Sequence, residues 1–283
     1  MSHGHAPSAP SEISLKPSAG WHVSHLYYRF NRGVLNSMVP AELAAGRQQV
    51  AAVLDPASPE SPARLQVSVV SGHKADFGLM LMDADPLKID SLHQRLMSGP
   101  LGPALEPTYS YVSLTEVSEY VPTVAQYGER LVVEGETVGS PTYNAKMKAY
   151  EGREEKMRIQ RLTPDLPPWP STCFYPMNKK REVGENWFAL DFPARTKMMA
   201  EHGRTGMTFG GRVTQLITTS FGFDDWEWGV TLWATNPEHL KEIVYRMRFD
   251  EASARYAEFG PFYVSYVMPA GEMLDHCRIG GHQ

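Results

Sequence analysis

Cysteine is scarce in this chain: two in 283 residues, Cys173 and Cys277, more than a hundred positions apart and in no CxxC pair. That scarcity argues against a disulfide framework or a cysteine-built zinc site, and reduced thiols in a cytosol are the simpler expectation. Positive charge is also short. Lys and Arg number 27 against 32 Asp and Glu, a formal net charge of −5, which leaves no broad basic surface for nucleic acid. No apolar run reaches the roughly 18 residues of a membrane helix, and the opening MSHGHAPSAPSEISLKPSAG has no charged start followed by an apolar stretch. Neither export nor membrane spanning is expected. What remains, at 42% hydrophobic and 21% charged residues, is a globular chain with one large core or two smaller ones.

Residues 1–20, rich in Ser, Pro, Gly and Ala, are expected to be a disordered tail, with His3 and His5 forming a weak HxH pair. Order should begin with a strand over 21–30 (WHVSHLYYRF) and continue with a helix over 40–54 and an irregular Pro- and Ser-rich loop. An internal repeat then decides the fold class. DFGLMLMDADP (76–86) matches EWGVTLWATNP (227–237) at an offset of 151, which sets Gly78 on Gly229 and Pro86 on Pro237. In both halves the pattern reads strand, helix, strand, strand, helix, strand, the ferredoxin-like split unit. In the second half those segments are NWFALDF, PARTKMMAEHGRTGMTFG, LITTSF, EWGVTLWA, PEHLKEIVYRMRFDEASARY and PFYVSYVM. The expected architecture is α+β: tandem βαββαβ repeats over 21–119 and 186–268, fused into a dimeric α+β barrel with helices outside. A connecting segment over 120–185 and a tail over 269–283 complete the division. A connection this long in a compact protein is usually functional or mobile.

The chemistry concentrates around CFYPMNKKR (173–181) and the helix that follows. His202, in TKMMAEHGRTG, lies on the helix face of Met198 and Met199, where an imidazole can present one nitrogen to iron while the other donates to a carbonyl or carboxylate. A core-edge histidine satisfied by a carbonyl would look the same. Tyr175 can serve as a hydrogen-bond partner, proton donor or one-electron relay, or simply as an anchor. Lys179, Lys180 and Arg181 suit carboxylates or phosphates, or form a solvated turn. Arg161, Arg248 and Ser253 could add anion contacts, and Gln215 offers a neutral amide at the start of a strand.

Together YPMNKKR, the EHG helix, GRVTQLITTSFGFDDWEWGVTLWA and YRMRFDEASARYAEFGPF resemble the coproheme decarboxylases, the peroxide-dependent haem synthases of the chlorite dismutase superfamily. The likeness is nearly continuous from Arg161 to about Phe262 and looser over 21–120. The resemblance implies a homopentamer of paired ferredoxin-like units binding iron coproporphyrin in the second half. Such enzymes turn two of its four propionates into vinyl groups with hydrogen peroxide, so coproheme is both substrate and cofactor and haem b is the product. It also implies roles: His202 as proximal iron ligand, Tyr175 as radical former, Lys179 at a reactive propionate, Gln215 on the distal side, and Arg161, Ser253 and Tyr120 as propionate contacts. A cytoplasmic location and transient contact with the ferrochelatase that supplies substrate accompany it. Chlorite dismutases carry a distal arginine, and the neutral Gln215 argues against that chemistry. Other readings are a peroxidase or dismutase relative that keeps its porphyrin, and a haem carrier or sensor without turnover. Between Tyr120 and Arg161 the chain carries about twenty residues beyond the commonest members.

Overall fold

The computed structural model describes residues 13–280. His3, His5 and the first twelve residues of the expected tail lie outside the described residues. The first unit comprises β1 (His22–Phe30), α1 (Arg32–Ser37), α2 (Pro40–Val53), β2 (Arg64–Val70), β3 (Phe77–Asp83), α3 (Pro86–Met97) and β4 (Leu105–Thr115). Two helices follow, α4 (Val124–Val133) and α5 (Pro141–Leu162). The second unit holds β5 (Ser171–Lys179), a small hairpin β6 (Arg181–Glu182) and β7 (Glu185–Asn186), α6 (Phe192–Met207), β8 (Val213–Thr219), β9 (Trp228–Ala234), α7 (Pro237–Met247), α8 (Glu251–Ala254), β10 (Ala257–Phe259) and β11 (Tyr263–Val267), before α9 (Ala270–His276).

The repeat is visible in how helices start. Asp85 accepts a hydrogen bond from Leu87 N at 3.0 Å with Pro86 in the first turn of α3, and Asn236 accepts from Glu238 N at 3.0 Å with Pro237 opening α7. Both use an N-cap side chain followed by a proline whose missing N–H is not needed there. Antiparallel pairing runs β5, β11, β2, β3, β1, β4, β8, β9 and returns from β9 to β5, so the ladders of eight strands form a closed ring. Tyr27, Tyr111, Phe174 and Tyr263, from four different strands, meet on its inner face, where His25 stacks on Phe174 at 4.0 Å. The opposite face of β1–β3 packs on helices: Tyr28, Leu65, Phe77 and Leu79 share a core with Val50 and Val53 of α2 and Ile89, Leu92 and Leu96 of α3.

Three expectations are corrected. The second unit opens on β5, within the segment expected to be a connection, and not on 186–192. There Asn186 accepts from Phe188 N at 3.0 Å and turns the chain into a 3-10 turn over Trp187–Ala189, and Asp191 then caps α6. β5 tolerates Pro176 because its pairing with β11 ends at Phe174 and that with β10 begins at Met177, so no ladder donor is lost there. The helix expected over 237–256 breaks after Met247, and Asp250 caps the short α8 by accepting from Ser253 N at 3.0 Å. The expected C-terminal tail carries α9, whose Met273 and Leu274, with Ile279, are buried in the first unit's core.

The two helices between the units, α4 and α5, are held by their own chemistry. Thr123 and Ser140 cap α4 and α5. Tyr127 and Tyr150 stack at 3.9 Å, and the Tyr150 hydroxyl donates to Pro122 O at 2.6 Å.

Candidate porphyrin site

Strand alternation sends Phe174 to the inside of the ring and Cys173 and Tyr175 outward, to a cluster with Val230, Leu232, Ala234, Leu240 and Ile243. Val213 and Ile217 of β8 pack against that cluster while Leu216 points to the other side, so Gln215 shares the outward face with Tyr175. Here the two units differ. In the first, α2 places Val50 and Val53 in the same core as the strands. In the second, no described residue of α6 joins the strand cluster; its Met198 packs instead with Trp187, Ala252 and Tyr256. The side chains of α6 thus pack in a separate cluster from those of β5, β8 and β9, whereas α2 shares one cluster with its strands. An apolar strand face that is not locked to the helix by side chains suits a flat, largely apolar ligand.

His202 stands on α6 with its Nδ1 2.9 Å from Asp250 Oδ2 and 3.4 Å from Ser253 Oγ. Burial acts to raise the Asp250 pKa, but the hydrogen bond from His202 and the amide of Ser253 outweigh it and hold it below the ordinary carboxylate value. An ionised Asp250 accepts from an Nδ1–H, and the neutral tautomer with that proton carries its lone pair on Nε2, the form that ligates iron. The other buried candidates are unsuited. His25 lies inside the ring, its Nε2 2.9 Å from Thr231 Oγ1 and its pKa pushed down to about 3 by burial. Burial pushes the Cys173 thiol up to about 12, so it carries no thiolate at neutral pH.

Lys179, at the end of β5, is 8% exposed. Its Nζ donates to Ala252 O at 2.8 Å and lies 4.3 Å from the centre of the Trp187 ring. Burial pushes its pKa down to about 8, with Asp250 acting in the opposite sense. The three cations of the KKR run diverge: Lys180 pairs with Glu185 at 3.1 Å and Arg181 with Glu227 at 2.6 Å, which leaves Lys179 as the one without a carboxylate partner. Tyr175 is buried, stacked on Phe262 at 4.4 Å and tilted against Phe259 at 5.8 Å, and burial raises its pKa, so the phenol is neutral. The Arg248 guanidinium lies over the Phe259 ring at 3.8 Å.

His202, Ser253 and Lys179 therefore converge on the turn 250–253, two through side chains and Lys179 through the Ala252 carbonyl. Tyr120 packs on α6 by stacking on Phe192 at 5.8 Å, and burial and Glu119 raise its pKa to about 12. Arg161, at the end of α5, makes no ion pair among the described residues, and burial lowers its pKa, a desolvated cation lacking an anion. No direct contact joins Arg161 or Gln215 to the His202 group. Asp250 and Trp187 escaped the sequence reading. Asp250 had a signal there, since DEAS is an N-cap pattern that argues against one continuous helix.

The model of the chlorite dismutase family matches residues 44–268. Coproheme decarboxylases of Oceanobacillus iheyensis and Staphylococcus carnosus are 38% and 39% identical over 211 and 210 residues, each match covering 74% of this chain and 75% of the relative. A solved haem-binding protein from Thermus thermophilus is 30% identical with a TM-score of 0.73, covering 92% of this chain and 95% of its own. A mutant chlorite dismutase from Candidatus Nitrospira defluvii shares the fold at 15% identity and a TM-score of 0.69, over 94% of this chain and 98% of its own. By the span of the family match and by these relatives, the chain belongs to the chlorite dismutase family.

Proposed function

We propose that this protein is a coproheme decarboxylase: it binds iron coproporphyrin III between α6 and the strands, removes the carboxyl groups of two of the four propionates, and yields haem b with hydrogen peroxide as oxidant. The observation that carries the reading is an α6 imidazole whose Nδ1 is held by Asp250, together with a buried phenol in the neighbouring strand cluster that α6 does not join. A carrier has no need of a buried redox-capable phenol, nor of a buried cation on the same strand.

In this reading His202 Nε2 is the protein's ligand to iron, and Asp250 fixes the ring and its tautomer. His202 would hold the iron porphyrin, which when bound would pass on the two oxidising equivalents that each decarboxylation takes from one peroxide. Tyr175 passes on a hydrogen atom and takes one from the propionate methylene in its place. After loss of one further electron the bond to the carboxylate breaks, its electron pair forms the vinyl double bond, and carbon dioxide leaves. Each propionate thus consumes one peroxide and one proton and releases one carbon dioxide and two waters. Lys179 and Arg161, both desolvated and without carboxylate partners, orient the propionates. Ser253 and Tyr120 contribute neutral hydrogen bonds, and Gln215 lines the distal side without a charge that would hold an anionic oxidant.

Homopentamer assembly, a cytoplasmic location and a transient contact with the ferrochelatase that delivers substrate are accompanying proposals carried by the resemblance alone. No described helix is long and apolar enough to cross a membrane. Purified protein given iron coproporphyrin and peroxide should form haem b. Unchanged porphyrin would make it a carrier, and bleaching alone an incidental peroxidase.

A further inference from the structure

Glu227 is a charged residue held at 7% exposure just before β9, outside every role assigned above. One of its carboxylate oxygens accepts from Lys179 N at 3.1 Å and the other pairs with Arg181 Nη2 at 2.6 Å. Its own N–H donates to Asn178 Oδ1 at 2.8 Å. The first unit repeats the arrangement. Asp76, the residue 151 positions earlier, accepts from Phe30 N at 2.7 Å and pairs with Arg32 Nη2 at 3.5 Å. In each unit, then, a carboxylate preceding the second strand of a hairpin grips the last residue of the unit's first strand by its amide, and the arginine two residues on by its guanidinium.

The duplicated clamps hold different cargo. In the first unit the gripped residue is Phe30, a core side chain at 2% exposure. In the second it is Lys179, whose amine reaches Ala252 O and the Trp187 ring. On one side β10 pairs with β5 as far as Lys179 and Tyr256 O accepts from Lys180 N at 2.8 Å, but on the other the ladder with β9 stops at Met177, and there Glu227 is what holds the strand end. We propose that Glu227 is a positioning residue for the decarboxylation, which sets the place of the Lys179 amine by clamping its backbone, and that Asp76 is the purely structural copy of the same device. The inference rests on Lys179 acting at a substrate propionate.

The test compares Glu227→Ala, Glu227→Gln and Asp76→Ala in the full chain loaded with iron coproporphyrin, with peroxide-driven decarboxylation as the readout. Misplacement of a charged contact by about an ångström is enough for a rate loss of tenfold or more. The expected results are a fall of at least about tenfold in kcat for Glu227→Ala, recovery to near wild type in Glu227→Gln, which retains an acceptor for the amide, and no kcat loss in Asp76→Ala despite lowered stability. Equal kcat losses in Glu227→Ala and Asp76→Ala, or unchanged kcat in Glu227→Ala, overturn the proposal. Should Glu227→Ala not fold, Glu227→Asp keeps the charge and draws it back by one methylene; a reduced kcat supports the clamp and an unchanged one overturns it. A wild type that leaves coproheme intact would refute the proposed function itself, a result distinct from either.

Discussion

Replacing Lys179 by methionine should make the protein more stable at neutral pH while removing its activity. The amine is buried without a carboxylate partner, and its pKa is pushed down to about 8 from 10.5. At about 1.36 kcal/mol per unit, holding it charged at pH 7 costs about 3 kcal/mol. Methionine of similar length removes that cost but strips Ala252 O of its donor, a loss of about 1 kcal/mol, and forfeits the contact of cation with the Trp187 ring, about 0.5–1 kcal/mol. The net expectation is a gain of about 1–2 kcal/mol at pH 7. The sign across pH follows from proton binding. Because the folded pKa lies below the unfolded one, the unfolded chain binds more protons between about 8 and 10.5, and wild-type stability rises with pH through that window. Lys179→Met lacks that rise, so its advantage should be full below pH 8 and largely gone by pH 10.5. Urea unfolding of both proteins at pH 7 and pH 10 measures this directly. A variant less stable than wild type by more than about 1 kcal/mol at pH 7 would mean that the carbonyl and ring contacts outweigh burial, and the reasoning would fail.

Other outcomes follow from the site. His202→Ala should change the ferric absorption spectrum of the coproheme complex; an unchanged spectrum removes His202 as the ligand. In Asp250→Asn the imidazole keeps a partner but loses the carboxylate that fixes its tautomer, so the iron–imidazole vibration should shift to lower frequency, and an unshifted band would separate Asp250 from the ligand. Tyr175→Phe should bind coproheme within about 0.5–1.5 kcal/mol of wild type yet form no haem b, whereas conversion at the wild-type rate refutes the relay. Wild-type protein loaded with haem should release negligible oxygen from chlorite, and sustained release would show that a neutral Gln215 suffices for dismutation.

Much of this was legible in the sequence because the repeat writes itself in residues with local physical jobs: Gly78 and Gly229 under a facing tyrosine ring, and Asp85-Pro86 and Asn236-Pro237 as helix starts. CFYP reads as a strand end, but Pro176 hides the full length of β5 and so its place as the first strand of the second unit, whereas NWFALDF has the apolar content of a strand but is diverted by the Asn186 and Asp191 side chains. The helix break has a local signal in the Asp250 N-cap, but the pairing of Asp250 with His202, 48 residues away, is reported by no local pattern. Likewise, KKR reads as one cationic cluster, and only the fold assigns Arg181 to Glu227 and Lys180 to Glu185 while burying Lys179. The separation of α6 from the strand cluster has no sequence signature at all; it emerges only when the two units are compared.

The central claim is that this chain decarboxylates coproheme through Tyr175, and it is tested most directly by the mass of the porphyrin after peroxide titration of wild type and Tyr175→Phe side by side. The account predicts that wild type loses two carboxyl groups, each with one hydrogen, and ends at haem b, while Tyr175→Phe keeps all four propionates. Intact coproheme in both proteins, or equal conversion in both, would contradict it.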